Sequence, residues 1–339
     1  MPKLDFDVIT LGHGSGGVLT HKLLNAGVFN LLSNEHLSEQ HDGAILNLPG
    51  KTAFSTDSFV INPIFFPGGN IGDLAVNGTV NDIAMCGAIP QYLSLSFILE
   101  EGLKMTEFWE ILVSIKTACE AAGVKVVTGD TKVVDKGKGD KIFINTTGIG
   151  SVMDSANISV RNIKVGDRII VSDQIATHGI AIMSVREGLE FESDIISDTR
   201  NLSSVVSKSI EKFGHDIHVV RDATRGGIAT VLKEMSEQSR LGMDLNYRSI
   251  PVNESVEGAC EMLGLDPMYV ANEGVFVSIV SEAIAEDYVA FLGRHAESRQ
   301  AAIIGTVTEA HPNQVIMTSA IGGKRVLSML PGEQLPRIC

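Results

Sequence analysis

Apolar and polar residues alternate in YLSLSF, which puts Leu93, Leu95 and Phe97 on one face of a strand. Beyond it the period changes. Phe108, Ile111, Leu112, Ile115, Ala118 and Ala122 recur at helical spacing, with Thr106 as N-cap and Gly123 as the stop, so an amphipathic helix is predicted there. VKVVTGD and KIFINTTGIG read as further strands, and strands and helices alternate from about Thr52 to Gly150. A second group begins at Arg168 with the strand DRIIVSD and the helix ATHGIAIMSVREG. Helices near Thr199 to Phe213 and Arg225 to Gln238 follow. VFVSIV, AAIIGTV, QVIMT and KRVLSML supply later strands, with AIAEDYVAFLGRH a helix among them. The weakly hydrophobic stretch SANISVRNIKVGD separates the two groups and marks a domain boundary.

Composition narrows the class. A chain of 339 residues, 44% hydrophobic and holding 34 Gly, divides naturally into two domains. Its net charge of -14 excludes a general nucleic-acid or anionic-membrane surface, because those partners are held by clustered Lys and Arg. Any phosphate ligand therefore needs local neutralisation. No basic leader opens the sequence and no run is long and apolar enough to span a membrane, so a cytoplasmic location is expected. Cys86, Cys119 and Cys260 lie far apart with no CxxC pattern and read as small buried residues. Cys339 differs, since it is the last residue of the chain and stands behind Pro331 and Pro336.

GHGSGG satisfies G-x-G-x-x-G through Gly12, Gly14 and Gly17, and DVITL before it could be the strand of a dinucleotide-binding turn. The acid-tipped strand such a unit requires is missing, however, because VFNLLSNEHLSE around Glu35 and Glu39 reads as helix and polar loop. A flexible glycine turn, or a lid whose bare amides approach phosphate oxygens, are the other readings.

More informative are carboxylates placed where an apolar strand gives way to a polar loop, or on a helix: HDGAIL, FSTDSFV, NGTVNDIAMCGA, VVTGDTKVV and HVVRDATRGG. They make Asp42, Asp57, Asp82, Asp130 and Asp222 candidates to converge. Each acid alone could cap a helix or close a turn; as a set they would repel unless cations lay between them, and magnesium bridging carboxylates to nucleotide phosphates meets that need. On the helix from Ile71 to Cys86, Asp73, Asn77 and Asn81 share a face that reads as solvated, while Ala75, Gly78, Ala84 and Gly87 allow close approach of a neighbour or ligand. In RDATRGG, Thr224 or Asp222 can cap a helix whose Gly226 and Gly227 leave its first amides uncovered. His215 and His218 read as a surface turn, and Glu273 in YVANEGVFVSIV as either a general base or a capping acid.

Taken together, GHGSGG, STDSF, VNDIAMCGA, GDTKV, RDATRGG, ANEG and the terminal PRIC resemble the ATP-dependent family of aminoimidazole ribonucleotide synthetase, selenophosphate synthetase and thiamine-monophosphate kinase. Within it the chain resembles the carbamoyl dehydratases of [NiFe]-hydrogenase maturation, and PRIC is the specific element. The resemblance implies a PurM-like, α/β plus α+β fold. An N-terminal glycine-rich segment (1–40) would precede an AIR synthase-like α/β domain (41–155) that dimerises through its sheet. An α+β domain (156–330) and a flexible tail (331–339) carrying Cys339 would follow.

It further implies ATP between the domains, contacted by Gly14, Gly16, Asp57, Asn81, Asp82, Asp130 and Asp222. Mg2+ would sit on Asp42, Asp57, Asp82, Asp130 and Asp222. Partners would be a second copy as homodimer, the carbamoyltransferase HypF as donor and the HypC–HypD iron scaffold complex as cyanide acceptor. Cys339 would carry a carboxamide that is dehydrated to a thiocyanate, with Glu273 as base and Lys132 as the cation near developing charge. The tail, spanning up to roughly 30 Å when extended, would alternate between a loading position and an inward one. A small-molecule kinase or synthetase with an incidental Cys339, a dinucleotide oxidoreductase, and a non-catalytic carrier are the competing readings.

Overall fold

The computed structural model describes residues 6–39, 43–188, 195–332, 335 and 337–339. Asp42, one of the expected magnesium acids, lies outside them.

At the N-terminus, α1 (Val18–Lys22) runs into a π-helical turn (Leu23–Phe29), and α2 (Glu35–Ser38) follows. The first domain contains β1 (Thr52–Phe59), the short pair β2 (Phe65–Phe66) and β3 (Gly69–Asn70), α3 (Ile71–Met85), β4 (Ala88–Glu100), α4 (Met105–Ala122), β5 (Lys125–Val134) and β6 (Ile142–Val152). The second contains β7 (Arg168–Val171), α5 (Thr177–Glu187), α6 (Ser203–Phe213), β8 (Ile217–Asp222), α7 (Gly227–Ser239), β9 (Gly242–Asn246) and α8 (Glu254–Leu263). It continues with β10 (Phe276–Val280), α9 (Ala285–Leu292), β11 (Ala302–Thr308), β12 (Val315–Thr318) and β13 (Lys324–Leu327).

The first sheet has the order β1-β6-β4-β5, with β4 and β5 parallel and the other pairs antiparallel. Its alternation is the one read from YLSLSF. Leu93, Leu95 and Phe97 are buried with Phe108, Ile111, Leu112 and Ile115 of α4, whereas Phe54 and Ile98 on the opposite face are 66% and 44% exposed. The sheet therefore has one covered and one open face. In the second sheet, ordered β13-β12-β9-β11-β7-β10-β8, the β7-β10-β8 part is covered on both faces. Val277 and Ile279 of β10 pack with residues of α7 and α8, while Phe276 and Val280 pack with α6 and α9, which is why VFVSIV is continuously apolar.

α3 is not the solvated helix its Asp–Asn stripe suggested. It packs on β1, β6 and α4 of its own domain and on α6 and β8 of the other, so Asn77 and Asn81 are buried. Small residues make this possible: a Cβ on Gly78 would sit 2.9 Å from the Phe59 ring, and one on Gly72 only 2.6 Å from the Ile111 carbonyl. α4 ends at Gly123, which adopts φ 68°, but begins at Met105 rather than after Thr106. The N–H of Met105 donates to the Asp7 carbonyl at 2.8 Å, a partner remote in sequence that no local cap signal announces.

α6 begins at Ser203 instead of Thr199, because the Asn81 side chain accepts the Leu202 N–H at 2.8 Å and holds the preceding segment in the domain junction. DVITL forms only a single bridge, Val8 to Lys104, before a 3-10 turn at Leu11–Gly14, so no strand–turn–helix unit for a dinucleotide exists there. His218 also departs from its surface reading: it is 5% exposed on β8, with Nδ1 2.7 Å from an Asp167 carboxylate oxygen. Cys119 and Cys260 are buried as read, but Cys86, just past α3, is exposed. Among the described residues no helix is long and apolar enough to cross a membrane.

Candidate active site

The two domains bring four of the sequence-selected acids together. Asp57 stands on β1 opposite Thr146, and the Thr146 hydroxyl lies 2.6 Å from that of Thr79 on α3, so Asp57 is on the helix-covered face. Asp82 leaves α3 one turn further on and accepts the Ser55 hydroxyl at 2.6 Å. Asp222 ends β8 of the second domain and is hydrogen-bonded to Asp82. Burial raises the pKa of all three; Asp222 is pushed up to about 7, first by burial and then by the neighbouring Asp82 charge, with Arg221 opposing. A pair of acids from two domains thus shares a proton near neutral pH.

Glu273 lies deeper, 5% exposed. Burial, and then the charges of Asp198, Asp222 and Asp57, drive its pKa well above the usual carboxylate range, with Arg225 opposing them. Its backbone N–H donates to Asp198 Oδ1 at 3.0 Å. Glu273 Oε1, Asp198 Oδ2 and Thr199 Oγ1 are buried without a hydrogen-bond partner among the described residues. Such orphaned oxygens are costly in a finished core and mark a place built for a further ligand.

Among the described residues no three His, Cys, Asp or Glu side chains form a ready-made metal cage. The donor set nevertheless fits magnesium, which is typically held by one or two carboxylates together with substrate phosphates and keeps much of its water. Asp57, Asp82 and Asp222 are the residues that would hold it. Burial raises the pKa of all three more than the nearby Arg221 and Arg225 charges lower it, so a cation bound among them would be favoured.

Beside this cluster a cavity of about 420 Å³ is lined by Ser58, Arg225, Thr230, Tyr269, Leu335 and Cys339, among others. The tail occupies its wall. The Cys339 carbonyl accepts the Val60 N–H at 3.0 Å, the Ile338 carbonyl lies 2.8 Å from His178 Nε2, and the Arg337 carbonyl accepts from Arg186. The Arg337 guanidinium donates to the Val60 carbonyl at 3.1 and 3.2 Å and pairs with Asp140. Ile338 is 3% exposed and packs with the first domain's core.

Other expected contacts fall elsewhere. Asp130 and Lys132 pair with Ser96 and Ile98 in register, on the open face of the sheet, and bond to each other at 3.0 Å. With β5 and β1 at opposite edges, the strand spacing puts Asp130 on the order of 14 Å from Asp57. Within one chain, Asp130 and Lys132 therefore do not join Asp57, Asp82, Asp222 and Glu273. They line a separate cavity of about 210 Å³ with Gly14 and Gly16. Gly14 is there for packing: a Cβ would come within 2.6 Å of the Val133 nitrogen.

Asn81 is 1% exposed and is used up as a bracket between domains. Its amide donates to the Arg200 and Glu273 carbonyls, at 3.0 and 3.5 Å, so it does not open toward a nucleotide. In RDATRGG neither Asp222 nor Thr224 caps α7, whose cap position is Gly226 at φ 72°. Residues the pattern did not single out are Asp198, Arg225 and His178. Arg225 sat inside a quoted motif, whereas Asp198 and His178 acquire meaning only through contacts distant in sequence.

Comparison with known proteins shows the family and the fold. The chain matches AIR synthase related protein, N-terminal domain, over residues 40–152 and the corresponding C-terminal domain over 164–318. It is 47% identical over 342 aligned positions, covering 100% of both chains, to the carbamoyl dehydratase HypE of Azotobacter vinelandii. The chain belongs to the HypE family. A crystal structure of the hydrogenase maturation protein HypE in complex with ATP superposes with a TM-score of 0.94 at 47% identity, covering 97% of this chain and 99% of that one. A HypE–HypF complex matches with a TM-score of 0.80 at 41% identity, covering 93% and 100%. The PurM-like two-domain fold expected of this family is the fold observed.

Proposed function

We propose that this HypE-family chain is an ATP-dependent carbamoyl dehydratase whose substrate is carried on its own terminal thiol. HypF loads Cys339 as S-CO-NH2, the chain converts it to S-C≡N, and the HypC–HypD scaffold receives the cyanide destined for the hydrogenase iron. The observation that carries this reading is the docked tail, with Cys339 lining a cavity between two domains beside an acid cluster. The HypE–ATP and HypE–HypF structures, which this chain resembles, support the nucleotide and the donor.

When bound, ATP supplies the phosphoryl group that makes the carboxamide oxygen a leaving group; Asp57, Asp82 and Asp222 would hold magnesium, which would shield the phosphate charge. The chain's own residues do the rest. One N–H proton is released to solvent as the oxygen is phosphorylated; as the C–O bond then breaks and C–N becomes C≡N, the remaining N–H proton must go to a base, while the sulfur stays bonded to carbon throughout. Glu273 is that base: burial and the neighbouring carboxylates raise its pKa, which strengthens its ionised form as a proton acceptor, and Oε1, without a partner among the described residues, is the accepting atom. Asp198 orients it through the Glu273 N–H. Arg225, whose charge acts on both Asp57 and Glu273, is the cation beside the developing negative charge. Buried Ile338 closes the tail side of the cavity to water.

Lys132 enters this reading through a second copy. The open sheet face, with exposed Phe54 and Ile98, offers the homodimer surface, and two-fold pairing across it would carry β5 of one copy toward β1 of the other. The deciding experiment is mass spectrometry of the C-terminal peptide after incubation with HypF, a carbamoyl donor and magnesium. A carbamoyl adduct that loses water only when ATP is added for the second step supports the reading. An adduct that persists unchanged with ATP, or ATP turnover on a diffusible substrate surviving Cys339→Ala, refutes it.

A further inference from the structure

His178 has a role that the chemistry above leaves out. It stands in the first turn of α5, fully buried, with its ring edge-on to Phe66 at 5.7 Å between centroids. Both ring nitrogens are engaged. Nε2 lies 2.8 Å from the Ile338 carbonyl and Nδ1 2.8 Å from Ser197 Oγ. A carbonyl can only accept, so Nε2 carries the hydrogen, and in the neutral ring Nδ1 must then accept the Ser197 hydroxyl. Burial holds the imidazole at about 4, with the Ile338 contact opposing it and Arg186 adding to it, so the ring is neutral under working conditions.

The chain of bonds continues behind the histidine. Ser197 Oγ accepts the Thr199 N–H at 3.1 Å, and the Ser197 N–H donates to the Pro67 carbonyl of the first domain at 2.9 Å. Asp198, the residue between, accepts the Glu273 N–H at 3.0 Å. One three-residue segment therefore fixes the imidazole on the tail and the backbone of the proposed base.

We infer that His178, oriented by Ser197, is a positioning residue that latches the tail main chain at Ile338, so that seating Cys339 and ordering Glu273 depend on the same segment, 197–199. The latch recognises a carbonyl and not the thiol, so it holds the tail whatever group the sulfur carries. It acts with the Arg186 contact to the Arg337 carbonyl and with the burial of Ile338, and its hydrogen bond has no solvent to replace it when broken.

This inference rests on the reading of Cys339 as the substrate carrier, but its test does not. The Val60 and Asn62 amides donate to the Cys339 and Arg337 carbonyls, so they report tail docking directly. Hydrogen exchange of the full-length chain, followed at these amides in His178→Ala, Ser197→Ala and His178→Gln, reads the latch. Exchange at both amides is expected to rise about tenfold or more in His178→Ala and to a lesser degree in Ser197→Ala. His178→Gln, which keeps an N–H at similar reach, should restore most of the protection. Amides of β4 serve as the control for folding and should not change.

Unchanged exchange at Val60 and Asn62 in both His178→Ala and Ser197→Ala overturns the latch. If His178→Ala also loosens β4, Ser197→Ala alone decides, and protection equal to the native chain overturns it. Failure of the latch leaves ATP-dependent loss of water from the Cys339 adduct untouched, whereas failure of the carrier reading leaves the exchange result standing.

Discussion

Replacing Asp222 by Asn should make the nucleotide-free protein more stable, increasingly so as pH rises. The folded state holds the Asp222 proton up to about pH 7, against an ordinary value of 3.8, because burial and the Asp82 charge disfavour ionisation. The unfolded chain releases that proton near 3.8. Between these values the folded state binds more protons than the unfolded one, so this residue's contribution to stability falls as pH rises and is constant below 3.8 and above 7. Asn removes the penalty and can still donate to Asp82. Between pH 5 and pH 7 lie two units at about 1.4 kcal/mol each, which bounds the growth of the advantage at roughly 3 kcal/mol; solvent reaching this half-buried group lowers it to about 1–2 kcal/mol. Urea denaturation of both proteins at pH 5, 6, 7 and 8 measures it, with the difference expected to widen to pH 7 and then level off. The same variant should bind magnesium-ATP more weakly, since a donor to the cation is lost. An Asp222→Asn protein that is no more stable than the native chain at pH 8, or whose advantage is equal at pH 5 and pH 8, refutes the shared-proton account of the site.

Further tests separate chemistry from packing. Glu273→Gln should slow the ATP-dependent loss of water from the Cys339 adduct by about 10²–10⁴-fold while leaving loading by HypF intact, as followed by mass spectrometry. Gly227→Ala should cost about 2–4 kcal/mol in urea denaturation, because the residue sits at φ 60° and its Cβ would lie 2.6 Å from the Met268 carbonyl and 2.7 Å from that of Val270. Ile338→Asp puts a charge where 3% of the side chain is exposed, so it should expel the tail and sharply increase its cleavage in limited proteolysis, with little change in global melting temperature.

Much of the architecture was legible because local periodicity reports burial. Leu93, Leu95 and Phe97 alternate and are buried together; the α4 positions from Phe108 to Ala118 repeat helically and pack against them. The acids of the STDSF, VNDIAMCGA and RDATRGG motifs could be named one by one, since an Asp at the end of an apolar run stands out. That Asp57, Asp82 and Asp222 meet, and that Asp130 does not join them, could not be read. A strand's face and its distance from another strand depend on register and sheet order, and β5 lies three places from β1. The α3 stripe misled for a related reason: Asn77 and Asn81 are both buried on a helix that the second domain covers, and the Asn81 side chain bonds backbone groups of that domain instead of water.

By itself the sequence determined the alternation of strands and helices, the family and the presence of the Cys339 thiol, because these are carried by neighbouring residues or by residue identity. Only the tertiary structure decided where that thiol rests. His178, Arg186 and Val60 come from separate segments and hold the tail by its main-chain carbonyls, an interaction that depends on where backbones meet and leaves no mark in the order of side chains.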